Sequence, residues 1–138
     1  MKKTAQLIVA TVAAIGMSSV MAADEIVKGQ IAAGISAGKA SSRDQIKDDI
    51  ALYFGKQKTP AVEKKIGVWD SSQTSRNCET AFASAIIRLQ NRARTEGGNA
   101  VINIVSGSGD SSETDFTCTA GRMMKRVRLS GTVVKLKK

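Results

Sequence analysis

Histidine is absent from the 138 residues, and cysteine occurs only twice. Without an imidazole there is no Ser–His or Cys–His nucleophile pair and no nitrogen ligand for a metal. Two thiols cannot close a four-ligand site by themselves. The nearest approaches to an acid–base pair are Asp48-Asp49 and Asp110 with Glu113, and both read as solvating charges in polar loops. The expectation is a chain that is no enzyme and holds no metal or cofactor.

A genuine phosphate loop is lacking too, although Gly34–Ser42 (GISAGKASS) imitates one. Such a loop needs four residues between its glycines and a hydroxyl after the lysine, so that backbone N–H groups wrap the phosphate and the hydroxyl holds Mg²⁺. Here only three residues separate Gly34 from Gly38, and Ala40 stands at the hydroxyl position. The residues before it are too short and weakly apolar for the strand the loop should leave. The stretch reads as a small-residue linker with one solvated lysine, Lys39, and no nucleotide.

Long hydrophobic runs and internal repeats are also missing. The longest apolar run, Leu7–Ile15, is too short to span a bilayer comfortably. Lys2 and Lys3 precede it, and Val20-Met21-Ala22 follows with the small-x-small pattern of an export leader. Cleavage is expected after Ala22. No cysteine follows the cut to carry a lipid, so a soluble periplasmic product is predicted. Removing 22 of the 138 residues leaves 116, and losing two lysines lowers the net charge from +9 to +7. That length suits one domain with one core.

In an exported chain two cysteines read as one disulfide. Joining Cys78 to Cys118 closes a loop of about 40 residues, which stabilises the fold by roughly 4 kcal/mol in the chain-entropy picture. The alternative is a thiol-redox or metal-handling protein. Cys78 stands at the start of a predicted helix, where the dipole favours a thiolate, but the C-x-x-C spacing of redox pairs is missing.

Residues 23–42 are small and Gly-rich, and read as a mobile or partly helical arm. For Ser42–Phe54, Ile46, Ile50 and Tyr53 fit one helical stripe, while Ile50–Phe54 fits a short strand closed by Gly55; the strand is favoured. Lys65–Trp69 reads as a second strand, with Trp69 in the sheet core, and Ser71–Asn77 as a polar loop. Phe82, Ala85, Ile86, Leu89 and Ala93 then share one helical face. Asn77 can cap that helix and Gly97-Gly98 can end it, giving bounds of about 78–96. Ala100–Val105 is apolar on both faces and so central in a sheet. Ser106–Ser112 reads as a flexible hairpin loop, and Phe116 and Cys118 share a strand face. Val127, Leu129 and Val133 keep a period of two, and the odd facing of Val134 and Leu136 suggests a bulge near Gly131. The order implies an α+β fold: one amphipathic helix on a small, mainly antiparallel sheet.

Leu52–Gly55, Thr59–Val62, Ile66-Gly67, the Cys-initiated helix, Gly97–Val105 and Phe116–Gly121 together resemble a group of small exported bacterial proteins often labelled "excinuclease ATPase subunit". That label implies two ATPase modules, for which this chain has neither the length nor the phosphate loop. More distantly, the order is similar to the RcsF-type envelope-stress lipoproteins and the YbjQ-like domains, which place a helix before a strand beginning Asn-Ala-Val, as Asn99-Ala100-Val101 does here. The first resemblance covers about residues 50–136 and the second about 64–136. It implies one domain over residues 49–138, with Cys78 matching the family's pre-helix cysteine and Cys118 one of its later partners. RcsF-type proteins carry a lipid anchor and two disulfides, whereas this chain has one cysteine pair. The YbjQ-like group sometimes carries a heavy-metal label.

The basic excess favours anionic partners. Arg88, Arg92 and Arg94 on the helix, with Lys125, Arg126 and Arg128 near the C-terminus, are the candidate surface; the bland alternative is a solvated face. The functional expectation is a non-catalytic periplasmic interaction protein. Its partner would be an envelope protein, such as one linked to envelope stress, or an anionic envelope component, and not nucleic acid.

Overall fold

Two local signals bracket the longest helix. The Asn77 side-chain oxygen accepts the Thr80 N–H (2.8 Å), and Gly97 turns left-handed at φ +82°. There the Gly98 N–H reaches back to the Ala93 carbonyl at 2.8 Å. The computed structural model describes residues 25–107 and 111–137; the leader expected at residues 1–22 lies outside them. Its elements are β1 (Glu25–Gln30), α1 (Ile31–Ala40), β2 (Ala51–Phe54), β3 (Val62–Ser75), α2 (Cys78–Glu96), β4 (Ala100–Ser106), β5 (Asp115–Ala120) and β6 (Lys125–Leu136). The fold is α+β, with two helices and a mixed six-stranded sheet among the described residues.

Strand β6 organises the sheet. β3 pairs one edge of it along its whole length, from Val62↔Leu136 to Ser75↔Lys125. On the other edge β4 pairs the second half and β5 pairs the start, at Thr119↔Arg126 and Ala120↔Lys125. β1 extends the sheet beyond β5, and β2 extends it beyond β4 in a parallel pairing. β4 and β5 therefore follow one another along a shared partner. The loop read as a hairpin does not join paired strands; part of it lies outside the described residues.

Phe82, Ile86 and Leu89 of α2 are buried against Val101, Ile104, Phe116, Val127, Leu129 and Val133 of the sheet. The Phe82 ring stacks on Phe116 with centroids 4.3 Å apart. Burying such side chains contributes about 1.5–3 kcal/mol each. The Cys78–Cys118 disulfide adds a covalent tie from the first turn of α2 to β5, with Cα atoms 6.0 Å apart.

Several expectations need correction. Residues 25–40 are partly helical, as one reading allowed, but they are not a mobile arm: β1 pairs β5 in register and α1 packs on α2, so the domain starts well before residue 49. The near-miss phosphate loop is the contact surface of α1. Gly34 and Gly38, four apart on one face, lie where a methyl would run into the Phe82 ring and into Ile46 and Ala83. Ser71–Ser75 is not loop but the end of β3, because backbone pairing with β6 outweighs a polar composition.

A further correction concerns β6, which carries no bulge. Its residues pair without a break, and the extra residues sit on its partners, in β3 and in β4 around Asn103, whose φ is 51°. Val127, Leu129 and Val133 face the helix as the alternation requires. Val134 and Leu136 face the other way and are buried with Ala100 in a second small cluster, against Tyr53 and Ile102. Both faces are covered at this end of the sheet.

Candidate anion-binding groove

A helix lying on a sheet buries one side and leaves the other to solvent. On α2 the outward stripe carries Thr80, Ser84, Arg88, Asn91, Arg92 and Thr95. The end of α1, the following loop and Gln73 of β3 rise beside it. Together they form an open groove of about 1090 Å³. Arg43 and Asp44 of the loop line the same groove as the α2 arginines, among hydroxyl and amide groups.

The guanidinium groups differ in how they are held. Arg92 pairs with Glu96 at 3.3 Å and lies over the Trp69 ring, 5.4 Å from its centroid. Trp69 is thus half-buried, packed against the core on one side and covered by a cation on the other. Arg88 and Arg43 make no ion pair among the described residues. Such a site can accept an anion through charge-assisted bonds from planar donors, with hydroxyls to fix its orientation.

The loop wall is fixed by contacts hidden in the sequence. Gln90, fully buried, accepts the Lys47 N–H and donates to the Lys47 and Ile50 carbonyls at 2.7 and 2.9 Å. Arg94 holds both carboxylate oxygens of Asp49 at 2.7 Å. The Arg94 hydrogen bond keeps the Asp49 carboxyl below its ordinary pKa, and Asp49 in turn raises that of Arg94.

Of the six basic residues read from the sequence, only Arg88 and Arg92 line this groove. Arg94 is engaged as a clamp. Lys125, Arg126 and Arg128 lie at the start of β6, where Arg126 and Arg128 alternate with the helix-facing Val127 and Leu129 and so project from the opposite side of the sheet. The six do not make one surface. Arg43 was missed because nothing in the composition of its loop shows that α1 will bring it into the same groove as Arg88.

Cys118 is 1% exposed, and its sulfur is bonded to that of Cys78. No helix among the described residues is long and apolar enough to cross a membrane. No protein-family model, curated protein or solved structure matches the chain.

Proposed function

We propose that this is a non-catalytic binding protein of the bacterial periplasm whose groove receives an anionic group of an envelope component. The observation that carries the reading is that Arg43 and Arg88, neither in an ion pair among the described residues, line one polar groove together with Arg92 and a single acid, Asp44. The export leader expected from the sequence and the resemblance to RcsF-type and YbjQ-like envelope proteins support the compartment. The disulfide suits it as well, since such bonds persist in oxidising surroundings. A role in envelope-stress signalling would place the groove at the point where a ligand or acidic partner is sensed.

Trp69 offers a direct test, because Arg92 lies over the only tryptophan. Titration with inorganic pyrophosphate or an oligo-glutamate peptide should change its emission. Arg88→Ala should weaken that binding about tenfold, the worth of one charge-assisted hydrogen bond. Emission that ignores every anion, or an Arg88→Ala protein that binds like the parent, would discard the reading.

The second reading, a thiol-redox protein, is favoured by the place of Cys78 at the first turn of α2. It requires the bond to open in use. Free thiols counted on protein isolated without reductant would support it.

A further inference from the structure

The turn joining β5 to β6 combines strongly exposed apolar side chains with a cluster of cations. Met123 and Met124 stand at its tip, 82% and 46% exposed, where the Gly121 N–H closes the turn on the Met124 carbonyl at 2.9 Å. Arg122, Lys125, Arg126 and Arg128 surround them, and none of the four makes an ion pair among the described residues. Register places Ile26, 68% exposed, beside the same tip: Ile26 pairs Thr119, which pairs Arg126. Apolar side chains at the apex with cations behind them are the arrangement of a segment that enters an anionic lipid interface.

We propose that the β5–β6 turn docks this protein on an anionic lipid surface, methionines first. The dimensions fit. A strand rises about 3.3 Å per residue, so Arg126 lies about 7 Å behind Met124 and Arg128 about 13 Å. The headgroup layer is about 5–7 Å deep on each side of a bilayer. With the methionines at the acyl boundary, Arg122, Lys125 and Arg126 fall among the headgroups. Arg128 stays just outside, still near the Debye length of about 8 Å. Methionine suits the apex, since its flexible thioether adapts to irregular apolar surroundings.

An acidic protein is the weaker occupant. A stable protein interface needs about 800 Å² from each partner, and a convex four-residue turn does not offer that area. Fluid lipid requires no matching shape. This docking site lies away from the groove and does not depend on its ligand.

The test is flotation of protein lacking residues 1–22, since the fold described begins at Glu25. One set of vesicles contains equal parts phosphatidylethanolamine and phosphatidylglycerol, the other phosphatidylcholine alone. Binding should be confined to the anionic vesicles and fall as salt rises. Each cation near the surface contributes about fivefold, so Arg126→Glu, which replaces an attraction by a repulsion, should weaken binding about twentyfold or more. Met123→Asp should also release the protein. Lys64→Glu, the same charge change at the far end of β3, should move binding less than either. Equal binding to both vesicles, no binding to the anionic ones, or tip variants that bind like the parent would overturn the proposal. So would loss of an acidic protein partner, rather than of vesicles, in the tip variants.

Discussion

The two helices pack against one another, yet they are held by different physics. α2 has 19 residues, a side-chain cap at one end, a left-handed glycine past the other, and a continuous apolar stripe. α1 has 10 residues, no side-chain cap at Gln30, and glycines at positions 34 and 38. Each interior glycine costs a helix about 1 kcal/mol relative to alanine, and a helix this short is marginal in water. α1 persists because those glycines let its backbone settle against Phe82 and Ala83. One helix is written into its own residues, and the other is a consequence of the surface it meets.

The largest test of that difference is Phe82→Ala. This ring is fully buried, stacks on Phe116 and lies under Gly34. Truncation should cost about 3–5 kcal/mol in a denaturant titration. Amide exchange should rise in α1 more than in α2. A uniform rise would mean that the two helices share one cooperative unit. A smaller effect decides between propensity and packing. Gly34→Ala ought to stabilise α1 by about 1 kcal/mol if helix propensity rules. The contact with Phe82 reverses the sign, and a loss of about 1–3 kcal/mol is expected from overpacking.

The same contrast explains which parts of the molecule could be read in advance. α2 was legible residue by residue, since cap, stripe and stop are local. So were β2, β5 and the cysteine pair. α1 was not, because its signal is the absence of side chains at Gly34 and Gly38, which has meaning only opposite Phe82. The end of β3 was hidden for a related reason: Ser72 and Thr74 lie on an open face beside Arg128 and Arg126, where no apolar alternation is needed. The groove was half legible. Arg88 and Arg92 follow from helical spacing, whereas Arg43 depends on where α1 ends, and Arg94 was diverted by an acid 45 residues away.

That diversion supplies the smallest test, and its sign can be worked out. Asp49 and Arg94 tie the connection after α1 to the last turns of α2, in a pair that remains partly exposed to solvent. The hydrogen bond from Arg94 depresses the carboxyl pKa in the folded chain below its unfolded value. A depressed acid stabilises the fold above the unfolded pKa, near about 3.9, and that contribution disappears as pH falls through the folded value. Asp49→Asn should therefore lower Tm slightly at neutral pH, and the gap to the parent should close as pH falls through the depressed folded-state pKa. Solvent screening keeps the effect small. If the gap stayed constant through that fall, the clamp would owe nothing to charge. The altered shape and hydrogen bonding at that position would then be the cause, and the loop wall would rest on Gln90 alone.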